Sequence, residues 1–206
     1  KVEPSKEYKH FRKHGIVKIG GYYKVDRGQS FKDNSELVGE ETLVGDTTLT
    51  KMLYERMLCG AYSKEKLKAF TDLLESTEDR LVVFYNFKAE LEELMKIAGQ
   101  LKRQFGVVNG DVKNPEMINP KGAILFVQYQ AGAMGLNLQK ANKIIYYSLP
   151  LSSELYEQSK KRIHRIGQNK PCFYYQLIVK GSIEEKILRT LNKRQDYTAK
   201  LFEKDE

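Results

Sequence analysis

From residue 80 onward, short apolar runs alternate with helical patterns, and this alternation restricts the fold more than any other feature of the chain. The runs cover residues 81–85, 105–108, 123–127, 143–147 and 173–179. Continuous apolar runs are typical of strands that are buried on both faces of a sheet. Because helical patterns separate them, the sequence predicts an α/β fold with a mostly parallel sheet and helices on both faces. Ligands of such sheets bind at the carboxyl ends of the strands, where residues 109–110, the segment after residue 127 and residues 158–168 are expected to lie.

Helices are predicted on both sides of this alternating region. Residues 49–59 have apolar side chains at helical spacing, which we expect in the core. They are Leu49, Met52, Leu53 and Met57. Ser63 is predicted to cap a second helix, and Ser182 to begin a single long helix that continues to about Leu201.

Residues 1–48 are basic, rich in glycine and only patchily apolar, and they predict an irregular N-terminal segment. Within it, residues 15–25 are predicted to form a β-hairpin around a Gly20-Gly21 turn, and residues 26–46 a loop. His10 and His14 are expected to be solvated.

Composition limits the class of partner. Lys+Arg 35 against Asp+Glu 27 gives a net charge of +8, which favours a polyanion such as nucleic acid or nucleotide.

No apolar run is long enough to predict a membrane span, and the N-terminus lacks the apolar centre of a signal peptide. Cys59 and Cys172 lack a metal-ligand spacing and are expected to be free thiols in a reducing cytosol. The chain begins without methionine and is expected to be part of a longer protein.

Residues 158–168, Gln-Ser-Lys-Lys-Arg-Ile-His-Arg-Ile-Gly-Gln, concentrate positive charge. On a helix, Gln158, Arg162 and Arg165 fall on one face, while Ile163 and Ile166 are free to enter a core. Two guanidiniums on one face match a phosphate group, because each offers paired donors and stays protonated. Such a run alone is more often a solvated helix end. Gly167 is predicted to end the helix.

A second segment, residues 128–139, contains glycines that permit close approach of the backbone to a ligand, whose phosphate its amides can hold. Its own spacing favours a structural turn. Together, however, the two segments resemble motifs V and VI of superfamily 2 helicases of the Swi/Snf-type branch. Residues 131–138 match Ala-Gly-x-x-Gly-[Ile/Leu]-Asn-Leu, and residues 158–168 match Gln-x-x-x-Arg-x-x-Arg-Ile-Gly-Gln. The residues of the two segments most resemble those of helicases of phages and prophages in Gram-positive bacteria.

The resemblance implies two RecA-like lobes with ATP and Mg²⁺ between them. This chain contains neither the Gly-Lys-[Ser/Thr] phosphate loop nor the Asp-Glu box of the first lobe. It therefore resembles the second lobe alone: a RecA-like three-layer lobe over residues 49–206, with residues 1–48 as a small appendage. The magnesium ligands are expected on the missing first lobe, and no metal site is expected in this chain.

The resemblance also assigns roles to residues. Arg162 and Arg165 would face the γ-phosphate, with Arg165 favoured as the arginine finger, and Gln158 would position that face. Gly135 and Asn137 would lie near the ribose and the magnesium-bound water. The residues implied for contact with DNA, expected to be duplex, are Asn109, Gly110, Gln130, Ala131 and Gly132.

The sequence departs from the family in two places. Tyr129 replaces the usual hydroxyl residue before Ala-Gly, so Gln130 or backbone amides are expected to take over its contact with DNA phosphate. The segment 109–121 is short and contains Pro115 and Pro120, which predicts that the helix expected there is reduced to about one turn.

The predicted function is half of an ATP-driven DNA translocase, inactive without its first lobe and working in the cytosol of a bacterial host. The alternative is a non-catalytic DNA- or protein-binding module that keeps the fold. The sequence leaves two roles open for residues 1–48, a docking surface for the first lobe or a separate DNA contact.

Overall fold

The structure, a computed structural model, describes residues 1–19, 41–132 and 136–205. The strands are β1 (Ile16–Ile19), β2 (Glu41–Val44), β3 (Leu81–Tyr85), β4 (Phe105–Val108), β5 (Ile124–Gln128), β6 (Lys143–Tyr146) and β7 (Phe173–Gln176). The helices are α1 (Lys6–His14), α2 (Thr48–Cys59), α3 (Lys64–Glu75), α4 (Lys88–Gln100), α5 (Tyr129–Gly132), α6 (Ser153–Lys160), α7 (Ile183–Asn192) and α8 (Ala199–Asp205). A single 3-10 turn spans Pro115–Ile118.

Strands β3 to β7 form one parallel sheet in the order β4-β5-β3-β6-β7, as the apolar runs predict. Alternate side chains of each strand enter two separate cores. Val82 and Phe84 pack on the face covered by α1, α2, α6, α7 and α8. Leu81 and Val83 pack on the face covered by α3 and α4. The chain therefore has the three layers of an α/β RecA-like lobe.

The N-terminal segment is more regular than the sequence predicts. Ser5 caps α1 by accepting a hydrogen bond from the Tyr8 amide, and Gly15 ends it in the left-handed conformation at φ 69°. Tyr8 and Phe11 are buried in the same core as the sheet. The prediction of an irregular segment is therefore wrong over residues 6–14, while the division of the chain at residue 48 stays a prediction.

Strand β1 forms where the first half of the hairpin was predicted, but its partner differs. It pairs antiparallel with β2, with Ile16 opposite Val44, in a stretch predicted to be loop. Residues 20–40, which include the predicted Gly20-Gly21 turn, lie outside the described residues.

Helix α2 forms as predicted but turns a different face to the core. Leu49 and Leu53 are 63% and 39% exposed, whereas Met52 and Glu55 are buried. Packing against α1 explains the rotation, because the Tyr8 hydroxyl donates a hydrogen bond to the Glu55 carboxylate over 2.9 Å. A prediction from the spacing of apolar residues cannot anticipate that an acidic side chain is buried on the core face of α2.

The long C-terminal helix predicted from Ser182 to about Leu201 is two helices, α7 and α8. Between them Arg194 takes a positive φ of 57°. The Asp196 carboxylate accepts hydrogen bonds from the Ser153 amide and hydroxyl at 2.7 and 2.8 Å, and the Tyr197 amide donates to the Leu151 carbonyl. These contacts with the start of α6 outweigh the local preference for a continuous helix.

Buried charges tie the helices of the two faces together. The Lys66 ammonium of α3, 0% exposed, forms an ion pair with the Glu184 carboxylate of α7. Nearby, Oε2 of the buried Glu90 accepts hydrogen bonds from the Asn86 and Phe87 amides and the Ser148 hydroxyl. Its Oε1 lacks a partner among the described residues. Burial raises the pKa of Glu90, against the opposing effect of Lys66.

The raised pKa of Glu90 predicts a pH dependence of stability. The folded chain holds a proton on Glu90 at pH values where the unfolded chain has released it, so ionisation costs stability as pH rises. That cost is absent below the ordinary carboxyl pKa and grows as pH rises through the raised value. In Glu90→Gln, the free energy of unfolding, measured by urea titration at mildly acidic and neutral pH, should fall less with rising pH. Equal falls in wild type and variant would contradict this account.

Candidate functional site

The basic motif is not a single helix. Helix α6 is capped by Ser152 and ends at Lys160, and residues 161–168 form turns. The Arg162 amide donates to the Ser159 carbonyl, three residues back, so the chain tightens where an α-helix would continue. The predicted shared helix face of Gln158, Arg162 and Arg165 is therefore wrong. Gly167 has φ +96° but lies beyond the helix end.

The two isoleucines of the motif behave differently. Ile163 is buried in the core, whereas Ile166 is 102% exposed. The expectation that both enter a core holds only for Ile163, because the chain has left the helix before Ile166.

The motif also lies at the other end of the sheet from the one predicted. Helix α6 runs back from the carboxyl end of β6, as a connection between two parallel strands must. The Gln168 side-chain amide then donates to the carbonyls of Gln139 and Ala141, just before β6 begins, at 3.0 and 2.9 Å. The turns after β4 and β5 do lie at the carboxyl ends. The predicted site residues thus fall into two groups at opposite ends of the sheet.

Arg162 is a buried cation that has no counter-charge among the described residues. It is 8% exposed, and its guanidinium has no hydrogen-bond partner within residues 1–19, 41–132 and 136–205. Its backbone is fixed, since its carbonyl accepts from the Leu138 amide at 3.1 Å. Burial and the positive charge of Arg165 lower the pKa of Arg162. Such a group is costly unless an anion compensates it, so the position favours a bound anion.

Arg165 and Asn137 share one open groove. Its lining residues are Asn137, Gln139, His164, Arg165 and Ile166. Both Arg165 and Asn137 are exposed; Arg165 Nε donates to the Lys161 carbonyl at 3.3 Å, and Asn137 Oδ1 accepts from the Gln139 amide at the same distance. The fold thus brings together two residues predicted for the nucleotide.

The other two residues predicted for the nucleotide are not placed in this groove. Gln158 donates to Glu154 Oε1 at 2.9 Å on the surface of α6, and it does not line the groove. Gly135 lies outside the described residues.

At the carboxyl ends of the strands, the Asn109 side chain stabilises the turn that follows β4. It is largely buried, and its Oδ1 accepts from the Asp111 and Val112 amides at 2.8 and 2.7 Å. Gly110 beside it is exposed. The following helix is reduced to the single turn Pro115–Ile118, as predicted. These contacts are those of an Asx turn, which leaves the exposed backbone of Gly110 for an external partner.

After β5, the short helix α5 holds the other residues predicted for DNA. Tyr129 is buried, stacks on Phe84 with ring centroids 5.0 Å apart, and donates its hydroxyl to the Ser148 carbonyl. Ala131 is also buried, whereas Gln130 is exposed. The Tyr129 hydroxyl is therefore committed to the core, and Gln130 is the side chain of this turn that faces solvent.

Gln168 is a residue whose role the sequence motif alone does not reveal. Besides the two carbonyls before β6, its side-chain amide donates to the Ile163 carbonyl at 3.2 Å. One amide group thus holds the loop that carries Asn137 against the loop that carries Arg162. Its place at the end of the motif was the available signal, but the partners lie 27 and 29 residues away in sequence.

Removing this amide should loosen the site. Gln168→Ala deletes hydrogen bonds to part-buried carbonyls, and we expect a loss of roughly 1–3 kcal/mol in the free energy of unfolding. Urea titration measures it. Gln158→Ala, which removes a surface amide from the same motif, is the matched control and should cost less than about 0.5 kcal/mol. Equal losses in the two variants would contradict the role of Gln168 in holding the two loops together.

No group of three or more histidine, cysteine, aspartate or glutamate side chains able to hold a metal ion occurs in the described part of the chain. Within the same residues, no helix is long and apolar enough to cross a membrane. Cys59 and Cys172 are free thiols, as predicted.

Comparison with known proteins identifies the class. The helicase conserved C-terminal domain family matches residues 65–167, half of the chain, and the chain belongs to this family. DNA repair and recombination protein RDH54 of Saccharomyces cerevisiae is 33% identical over 141 residues, which are 60% of this chain and 14% of that protein. DNA repair and recombination protein RAD54-like of Drosophila willistoni is 28% identical over 140 residues, 64% of this chain and 18% of that protein.

A solved structure agrees with the fold. The C-terminal part of the Fun30 ATPase domain superposes with a TM-score of 0.60 at 24% identity, covering 70% of this chain and 52% of that one. Family and relatives together support a C-terminal lobe of a Swi/Snf-type superfamily 2 helicase. They lend no support to the resemblance to phage helicases. The chain spans less than a fifth of the curated relatives named above.

Proposed function

We propose that this chain supplies one wall of the ATP site, and part of the DNA-binding track, of an ATP-dependent DNA translocase. The other wall would be an N-terminal RecA-like lobe. One observation carries the proposal: Arg162 is buried without a counter-charge among the described residues, three positions before Arg165, which lines a groove together with Asn137. Membership of the helicase C-terminal family makes a nucleotide phosphate the expected anion.

The residues present fit the phosphates of ATP. Arg162 offers a guanidinium on a fixed backbone, and Arg165 offers a second one on an exposed turn. Planar donors of this kind bind phosphate oxygens in pairs. Bound between two lobes, ATP with Mg²⁺ would supply the phosphoryl group that is transferred to water. The magnesium ligands belong, in this proposal, to the N-terminal lobe.

The two arginines have different proposed roles. Arg162 is pre-positioned by burial, so it would bind and orient the γ-phosphate in the ground state. Arg165 is exposed, and among the described residues its side chain is held only by its hydrogen bond to the Lys161 carbonyl, so it is free to reach across a cleft as the arginine finger. A finger is worth about 10³ to 10⁵ in rate, because charge develops on the phosphoryl oxygens in the transition state. Asn137 would hydrogen-bond near the ribose.

The DNA partner is proposed from the relatives and from the turns after β4 and β5. The relatives are named as DNA repair and recombination proteins. Because Asn109 and Tyr129 are engaged internally, the contacts fall to the exposed Gly110 and Gln130 and to the backbone of residues 131–132. A phage origin and a bacterial cytosol stay predictions from the motif wording.

The test is DNA-stimulated ATP hydrolysis. A protein that joins this chain to an N-terminal lobe with a phosphate-binding loop should hydrolyse ATP faster when duplex DNA is added. The chain alone should hydrolyse none above background. If the joined protein binds DNA but does not hydrolyse ATP, the proposal fails and a non-catalytic binding module becomes the better description.

A further inference from the structure

The solvent face of α1 is a basic row away from the sites described above. The exposed residues Lys6, Lys9, His10, Lys13 and His14 recur at helical spacing and so share one face. Glu7 is the only acidic residue of the helix. The rings of His10 and His14 lie 4.6 Å apart.

The opposite face of α1 fixes this row on a rigid support. Tyr8 and Phe11 are buried, and the Tyr8 hydroxyl donates to Glu55 and accepts from the Ile183 amide at 3.1 Å. At the end of the helix, Arg12 donates to the Gly181 carbonyl at 2.8 Å. The backbone of α1 is therefore ordered by the core, so a ligand of the exposed row would not have to order it.

Helix stability does not account for the row. Cations are favourable in the last turn of a helix, which explains Lys13 and His14, but unfavourable in the first turn, where Lys6 lies. Surface ion pairing does not account for it either. Among the residues the structure describes, Lys6, Lys9 and Lys13 have no carboxylate within salt-bridge distance. Their charges are available to an external polyanion.

We infer that this face of α1 binds the phosphate backbone of duplex DNA. Lys6 and Lys13 are seven residues apart, which is about 10 Å along a helix. One DNA strand carries about three phosphates over that length, because its charges are spaced about 3.4 Å apart along the axis. Three lysines match that number, and the imidazoles offer further N–H donors. The contact carries no sequence preference, since it reads phosphate and not base edges.

The inference rests on the proposed function only for the choice of DNA as the polyanion. It favours one of the two roles that the sequence leaves open for residues 1–48. It adds a contact on the side of the sheet that α1 covers, separate from Gly110 and Gln130 at the carboxyl ends of the strands.

The test is the salt dependence of DNA binding by the 206-residue chain, measured by fluorescence anisotropy with a short labelled duplex. The slope of log K against log salt is negative, and each phosphate contact that is lost should make it less steep by about 0.9. The slope for Lys9→Gln/Lys13→Gln should therefore be less steep than that of wild type by about 2. The matched control, Lys64→Gln/Lys68→Gln, changes two lysines with the same spacing on α3, across the sheet. Its slope should equal that of wild type.

Two results would overturn the inference. The first is an equal slope for wild type and Lys9→Gln/Lys13→Gln, with circular dichroism showing both chains folded. If the protein joined to an N-terminal lobe still shows DNA-stimulated ATPase activity, the proposed function stands without this contact. The second is a chain that does not bind duplex DNA at low salt, which would also remove the DNA track of the proposed function.

Discussion

Arg165→Ala, in a protein that joins this chain to an N-terminal lobe, is expected to slow DNA-stimulated ATP hydrolysis by at least about a hundredfold. Arg165 is exposed in the groove beside Asn137, and within the part of the chain that the structure describes its side chain is tied only by the hydrogen bond from Nε to the Lys161 carbonyl. Because the Arg165 side chain is exposed, its removal should leave the fold intact. The measurement is the steady-state rate at saturating ATP and DNA.

Two further variants define the role. Lys161→Ala removes a neighbouring exposed cation of the same turn and should change the rate less than about threefold, as a surface charge near but outside the site. Arg165→Lys keeps the charge but loses the planar pair of donors, so its rate should lie between those of wild type and Arg165→Ala. A near-wild-type rate in Arg165→Ala would refute the finger assignment.

Lys66→Met is expected to destabilise the chain by about 3–5 kcal/mol, because it leaves the Glu184 carboxylate buried without its cation. Both side chains are almost wholly inaccessible, and Glu184 otherwise accepts only from the Val179 amide at 3.0 Å among the contacts described. Glu184 lies in the first turn of α7. The measurement is the free energy of unfolding from urea titration.

The double variant Lys66→Met/Glu184→Gln removes both charges and should recover part of that loss. The matched control is Lys68→Met, two residues along α3, whose ammonium pairs with Asp72 at the surface. It should cost less than about 1 kcal/mol, as exposed ion pairs do. If Lys66→Met and Lys68→Met lower the free energy of unfolding equally, the ion pair of Lys66 with Glu184 does not stabilise the fold as proposed.

The parallel sheet could be predicted because its strands are continuous apolar runs, such as residues 81–85, separated by helical stretches. What failed were features set by distant residues. The rotation of α2 follows from the contact of Glu55 with Tyr8, 47 positions away. The gap between α7 and α8 follows from Asp196 and Tyr197 binding the start of α6. Local periodicity contains neither interaction.

In the candidate site, too, local sequence predicted some features, whereas contacts between distant residues set others. The motifs predicted Arg162, Arg165 and Asn137 as site residues, and the fold places Arg165 and Asn137 in one groove. The motifs did not reveal that the chain leaves the helix at Lys160, because the Gln168 contacts that hold the turns are tertiary. Likewise, the sequence gives no sign that Lys66 is buried, because its ion pair with Glu184 spans 118 positions.

The most direct test of the central claim, that this chain binds the γ-phosphate from across a cleft, is the nucleotide preference of Arg162→Ala in the joined protein. Equilibrium titration would compare ADP with a non-hydrolysable ATP analogue. Loss of a charged hydrogen bond to the γ-phosphate should weaken the analogue by at least about tenfold and leave ADP within about twofold. Equal weakening of both nucleotides, or of neither, would contradict the account.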